Sequence, residues 1–293
     1  MPTFAAIDIG SNSCRLAIAS VQQHRLKTLI EDREVTRLGE SVFETGVISP
    51  EAMANTIKTL KRFQRSVQAQ VVDKVRVVAT SAVRDARNSD AFKAWVKSAT
   101  GWNLEVISGL EEGRLIHLGI VTHEPGAQGR CLLIDLGGGS CEVTISDHGR
   151  IQQMVSLPLG AVRLQAEFLR TDPPSKEDVA RLRKFIDREL GRAERKLGQP
   201  KVRLVIATSG TAAALAEASS ALELGLEKKG ARAGIGKKAA KKVAATRVEI
   251  LTAETPAVRK IADRLAKLNN AQRAAVAGSG PRRSEIIVGG AQV

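Results

Sequence analysis

Two stretches, Phe4 to Ala19 (FAAIDIGSNSCRLAIA) and Cys131 to Ser146 (CLLIDLGGGSCEVTIS), lie over each other without a gap at an offset of 127 residues. Six of the sixteen positions agree: Ile7 with Ile134, Asp8 with Asp135, Gly10 with Gly137, Ser13 with Ser140, Cys14 with Cys141 and Ile18 with Ile145. Each copy reads as a short apolar strand ending in Asp, a Gly/Ser turn and a second apolar segment, which is the pattern of a hairpin with a polar loop. A hairpin that occurs twice predicts two related units, with a boundary in the Pro125-Gly126 to Gly129 stretch. The expected domains are therefore 1–125 and 126–293, and a chain of 293 residues has room for both.

Between and after the repeats, strand-like and helix-like patterns alternate. Ser49-Pro50-Glu51 is a helix start, and Met53, Ile57, Leu60, Phe63 and Val67 follow at three- and four-residue spacing on one apolar face. Val75 to Thr80 and Leu104 to Ile107 read as strands, Ala91 to Ala99 and Glu111 to Val121 as helices. In the second half, Ser175 with Asp178 predicts a capping box, and Val179, Leu182, Ile186, Leu190, Ala193 and Leu197 form the buried stripe behind it. Leu204 to Ala207 is a further strand, followed by Thr208-Ser209-Gly210-Thr211 and an alanine-rich helix. This order predicts an α/β protein with mixed sheets flanked by helices.

With 43% hydrophobic and 26% charged residues, and no long apolar run, the chain reads as a soluble globular protein rather than a membrane protein. Its first residues lack the basic segment and apolar stretch of a secretory signal, so a cytoplasmic location is expected. Cys14, Cys131 and Cys141 form no CxxC pair and read as small core residues. Nor do His24, His117, His123 and His148 show metal-binding spacing. The formal charge of +14 favours acidic partners, and much of it falls between Lys228 and Lys242. That strip reads either as a solvated loop or as a docking strip for phosphates. Specific nucleic-acid binding is not expected, because 3% aromatics and no tyrosine leave little to build stacking platforms from.

The chemistry points to the two turns. Glycine-rich loops let backbone amides approach an anion without side chains in the way. The carboxylates of Asp8 and Asp135 beside such loops would repel phosphate unless a cation intervened, so these acids are expected to hold Mg²⁺ or Mn²⁺, in part through water.

The segments DIGSNSCRLAIA, ATSAVRDARN, ISGLEEGRLIHLGI, IDLGGGSCEV, SLPLGAVRL and ATSGTAAALAE resemble, in that order and over nearly the whole chain, the exopolyphosphatase/guanosine pentaphosphate phosphatase family. That family sits with sugar kinases, actin and heat-shock chaperones. The resemblance therefore implies two ribonuclease H-like (actin-like ATPase) domains with the active-site cleft between them. It implies phosphate loops at Gly10, Ser11, Asn12 and Ser13 and at Gly137, Gly138, Gly139 and Ser140. A third, at Ser209, Gly210 and Thr211, matches the motif that meets adenosine in the kinases. By the same resemblance Glu112 is the catalytic base, and Arg84 is a cleft arginine able to grip the transferred phosphoryl group. Glu142, just beyond the second loop, would help position metal or water. Ser279 to Gln292 looks like the last connecting helix, with Pro281 and Arg283 at the family's Pro and Arg; relatives continue it further.

The implied activity is release of the terminal phosphate from inorganic polyphosphate, conversion of guanosine pentaphosphate to tetraphosphate, or both, as a monomer or a homodimer. A polyphosphate:ADP phosphotransferase and a non-catalytic alarmone sensor remain as alternatives. One departure from the pattern touches the site: Gly113 stands where alanine is common, and a helical glycine predicts a looser helix around Glu112.

Overall fold

The computed structural model describes residues 1–23, 25–223 and 251–293. His24 and the Lys228 to Lys242 strip lie outside the described residues. The first half comprises β1 (Thr3–Ile9), β2 (Ser13–Gln22), β3 (Arg25–Val35), α1 (Leu38–Thr45), α2 (Pro50–Gln68), β4 (Lys74–Ala79), α3 (Ser81–Asp85), α4 (Ser89–Thr100), β5 (Leu104–Val106) and α5 (Gly109–His123). The second comprises β6 (Cys131–Leu136), β7 (Cys141–Asp147), β8 (Arg150–Leu157), α6 (Ala161–Phe168), α7 (Lys176–Leu197), β9 (Leu204–Thr208), α8 (Ser209–Glu223), α9 (Thr255–Leu265), α10 (Asn270–Ala274), α11 (Gly280–Arg283) and α12 (Ile287–Ala291).

The duplication read from the sequence is carried by the sheets. Their strand orders are β3-β2-β1-β4-β5 and β8-β7-β6-β9, so the first four strands of one match the four of the other. In each, a three-stranded antiparallel meander is extended by parallel strands reached through helical crossovers. The hairpins are thus only two of the three strands of each meander. The third strands, β3 and β8, sit at sheet edges; β3 is largely solvated, so RLKTLIEDREV lacks the apolar alternation that marks a strand, whereas RIQQMVSL buries Val155 and Leu157 at the end of β8. Each sheet has its own core, around Ile7, Ile9, Leu16, Leu60 and Phe63 in one and Leu159, Leu164, Leu182 and Ile186 in the other.

The expected helices form for the expected reasons. Ser49 caps α2 by accepting from the Ala52 amide at 3.2 Å, Pro50 opens it, and Met53, Ile57, Leu60, Phe63 and Val67 are buried along one face. The capping box expected on α7 is half formed. Ser175 Oγ accepts from Asp178 N at 3.0 Å, but the Asp178 carboxylate turns to the Arg170 amide and Arg181 instead of reaching back. The reciprocal box occurs on α10, between Asn269 and Gln272. The single last helix expected over Ser279 to Gln292 is two short ones, α11 and α12, separated by a turn over residues 284–286, and positive φ at Gly278 and Gly280 marks where the chain enters the first of them. Among the described residues no helix is long and apolar enough to cross a membrane.

The two sheets meet through their glycine loops. A Cβ on Gly139 would lie 2.6 Å from both the Phe43 ring and Ser11 Oγ, and one on Gly138 would lie 3.2 Å from the Asn12 amide. One on Gly160 would fall on the backbone of Gly139 itself. Backbone on backbone leaves nothing that can swing aside. Gly160→Ala is therefore expected to destabilise the protein by about 1–3 kcal/mol. Gly119→Ala, on the open face of α5 with no atom within 4 Å of the new methyl, should stabilise it by up to about 1 kcal/mol. Urea unfolding midpoints moving in opposite directions would establish both; an unchanged midpoint for Gly160→Ala would show that the connection after β8 parts freely from the second loop.

Candidate active site

A cleft of about 460 Å³ opens where the loops meet. Gly10 to Ser13, Gly137 to Ser140 and Thr208 to Thr211 line it, together with Asp8, Asp135 and Glu112, so the three predicted phosphate loops and the predicted base share one space. The first two loops close alike, Gly10 N donating to Ser13 O at 3.1 Å and Gly137 N to Ser140 O at 3.0 Å. Their carbonyls are committed outward. Ser11 O accepts from Gly39 N at 2.7 Å and Asn12 O from Thr36 N and Arg37 N, both at 3.1 Å. In the second loop Gly137 O accepts from Ala161 N at 3.0 Å and Gly138 O from Val162 N at 2.8 Å. In a planar trans peptide the N–H points opposite to the C=O, so anchoring the carbonyls turns the loop amides away from those anchors. The third loop is held by Ser209, a non-glycine residue at φ +90, whose hydroxyl donates to Leu136 O.

Four carboxylates gather at the strand ends and the start of α5. Strand register places Asp8 opposite Arg15 and Asp135 opposite Glu142. The two columns are equivalent in the repeat, so one position carries opposite charges in the two copies. On α5, capped by Ser108 Oγ, the adjacent glutamates divide their roles. Glu111 turns outward to pair with Arg114 at 2.7 Å. Glu112 is largely buried, and its Oε2 accepts no hydrogen bond and lies 3.9 Å from Arg84 Nη1. Burial, then the charge of Glu142, then that of Asp8 push its pKa up to about 8, with Arg84 opposing. Glu142 is pushed up to about 7, chiefly by burial, although Ser156 Oγ donates to it at 2.7 Å. Asp8 is raised by burial against the pull of Arg15, and Asp135 by burial against a hydrogen bond from Thr208.

Asp8 Oδ1, Glu112 Oε2 and Glu142 Oε2 are buried without a hydrogen-bond partner. Orphaned oxygens of this kind on hard acidic ligands fit a divalent cation. Among the described residues no three His, Cys, Asp or Glu side chains are preassembled into a metal cage. A cation here would take few protein ligands and complete its shell with water and phosphate, which is how Mg²⁺ is usually held.

Arg84 is not a surface ion pair: its Nη1 donates to Ile107 O at 2.8 Å, beside Glu112. Gly113 does not loosen α5. It is the close-packed point of the helix, where a Cβ would come within 2.7 Å of Met154 Sδ and 3.3 Å of Glu142 Cγ. His117 is buried against Ser146 Oγ at 2.9 Å, away from the cleft lining, and His123 and His148 are exposed. Three arginines that line the cleft, Arg15, Arg33 and Arg283, were not assigned a role from the sequence. Arg15 had a signal: it occupies the repeat column that singles out Glu142 in the second copy. The guanidinium of Arg283 covers Gly210, so the third loop faces an arginine.

The model of the Ppx/GppA phosphatase family matches residues 17–293. The chain is 31% identical to Exopolyphosphatase 2 of Mycobacterium tuberculosis, an alignment that covers 99% of this chain and 88% of that protein. It is 35% identical, over 55% of its length and 32% of the relative's, to a guanosine-5'-triphosphate,3'-diphosphate pyrophosphatase of Aliivibrio fischeri. Among solved structures, an exopolyphosphatase from Cytophaga hutchinsonii superposes with a TM-score of 0.82 at 26% identity, covering 99% of this chain and 88% of that one. The Aquifex aeolicus family member does so with 0.72 at 29% identity, with the same coverages.

A carboxyl group whose pKa is raised on folding binds its proton more tightly in the folded state. Its stabilising contribution is full below the unfolded value near 4.5 and is lost as pH rises through about 8. In chelator, the metal-free protein should lose stability across that window. Glu112→Gln should flatten the loss and melt above wild type on its alkaline side. Thermal unfolding of both across the window is the check; parallel curves would mean that Glu112 ionises as an ordinary glutamate.

Proposed function

The chain belongs to the Ppx/GppA phosphatase family, and from that premise we propose how its cleft hydrolyses phosphoanhydride bonds. The substrate is a polyphosphorylated chain, inorganic polyphosphate or guanosine pentaphosphate or both, that loses its terminal phosphate. The observation that carries the mechanism is the buried, unpartnered Oε2 of Glu112, held at the start of a capped helix beside both glycine loops.

The terminal phosphoryl group lies between the loops of Gly10 to Ser13 and Gly137 to Ser140, whose amides serve as donors to its oxygens. Arg84 adds a planar cationic donor next to Glu112. Glu112 orients a water molecule and accepts its proton as the water oxygen bonds to phosphorus. The bridging oxygen then leaves with the electron pair on the shortened chain. A base whose proton affinity is raised toward neutrality by burial suits that step. Asp8 and Glu142, and Asp135 through its second oxygen, are the ligands we assign to Mg²⁺ or Mn²⁺, which when bound would offset the charge of substrate and carboxylates. Arg15, Arg33 and Arg283 supply positive charge along the cleft wall, as a polyanion requires.

Glu112→Gln keeps size and hydrogen-bonding capacity but removes the base. Phosphate release from either substrate should fall by roughly 10²–10⁴-fold, while polyphosphate binding measured by calorimetry is retained; full activity in the variant would sink the assignment. Exhaustive chelation should abolish turnover and added Mg²⁺ restore it. Undiminished release from metal-free protein would leave Asp8 and Glu142 with another role.

A further inference from the structure

The two glycine loops are anchored by different means. In the first, Asn12 O accepts two backbone amides, from Thr36 and Arg37. In the second, the repeat-equivalent carbonyl, Gly139 O, takes its hydrogen bond from a side chain, Arg163 Nε, at 2.8 Å. Leu159 N, near by in the connection after β8, turns back to Leu157 O at 2.8 Å. The guanidinium is used on every side. Its Nη2 donates to Asp85 Oδ2 across the junction of the two sheets, its Nη1 lies 3.5 Å from Glu167 one turn along α6, and its plane sits 4.1 Å over the Phe43 ring of α1. The side chain is only 14% exposed.

Asp85 ends α3, the five-residue helix that meets the site at two points. Ser81 Oγ lies 2.9 Å from Ser11 Oγ of the first loop, Arg84 reaches Glu112, and Asp85 Oδ1 is 4.0 Å from Arg84 Nε. We propose that Arg163 is a positioning residue for hydrolysis: it orients the Gly139–Ser140 peptide and, through Asp85, ties the second phosphate loop to the helix that places Arg84. Holding Gly139 O on one side turns the Ser140 amide to the other, so that the last donor of the loop is set by a side chain from α6. Arg163 itself touches no reacting atom. Its planar fork suits the task because it serves a carbonyl and a carboxylate at once, which an ammonium cannot do in one geometry.

The kinetic consequence rests on the hydrolase reading; the structural one does not. Arg163→Met keeps an apolar stem against Phe43 and removes both hydrogen bonds. Its kcat for phosphate release is expected to fall roughly tenfold to a hundredfold, the range seen when a residue that orients a ligand is lost, with KM little changed. Asp85→Asn should lower kcat in the same sense, Arg163→Lys should recover part of the loss, and the double variant Arg163→Met/Asp85→Asn should be no worse than the weaker single one. Glu167→Gln, which removes a contact within α6 alone, should keep kcat within about twofold. Hydrogen exchange adds a readout independent of turnover: the Gly137 and Val162 amides, which donate to Ser140 O and Gly138 O, should exchange faster in folded Arg163→Met. If that variant does not fold, Arg163→Lys and Asp85→Asn carry both measurements. Wild-type kcat in the folded variants, a Glu167→Gln loss as large as that of Asp85→Asn, or unchanged exchange would overturn the proposal. Absence of turnover in wild type would instead defeat the hydrolase reading, and exchange alone would then decide the role of Arg163.

Discussion

Two glycine loops pressed together, with their carbonyls committed outward, are the constraint from which the rest of the molecule follows. Because Gly138 and Gly139 face Ser11 and Asn12 with no space for a methyl group, the two sheets are held in one relation. Because those carbonyls are bonded to the starts of α1 and α6, the amides have a single direction left to them. An anion site made in this way needs no lysine on a flexible stem. Its donors belong to the main chain, and their positions are as firm as the sheets behind them.

The acids around the cleft place the opposite demand on the fold. Asp8, Glu112, Asp135 and Glu142 are each pushed toward the protonated form by burial, against the pull of Arg15 and Arg84 and of hydroxyl donors from Thr208 and Ser156. Such an arrangement is a burden on the metal-free protein and, under the proposed mechanism, an asset once cation and phosphate arrive, the usual tension between stability and activity. Gly113 belongs to the same compromise, since it lets α5 approach Glu142 more closely than alanine would allow.

Much of this was legible in the sequence where a residue's local pattern and its final environment agree. The repeat of Asp, Gly, Ser and Cys at an offset of 127 announced both the duplicated sheet and the paired loops, and the apolar stripe of α2 announced its buried face. The strand β3 was not legible, because an edge strand in water has no buried alternation to display, and β8 alternates only over Val155 and Leu157 at its end, too short a run to mark a strand. The division of the last helix into two was hidden as well, because the turn over residues 284–286 contains neither glycine nor proline to announce it. The motifs singled out the three loops and Glu112, which line one cleft, and Arg84, which lies beside Glu112. Arg33 and Arg163 were not singled out, since an arginine on an edge strand or in a helix carries no local sign of which carbonyl or carboxylate it will meet through the tertiary fold.

The unequal anchoring of the two loops has a consequence for how they can change over generations. Thr36 and Arg37 hold Asn12 O through amides that every residue but proline possesses, so that anchor does not depend on either side chain, although Gly39, which holds Ser11 O, has no room for a Cβ. The second loop relies in part on one guanidinium, which a single codon change removes. At this one carbonyl the duplicated halves are therefore unequal in mutational robustness: a side-chain change can release Gly139 O but not Asn12 O.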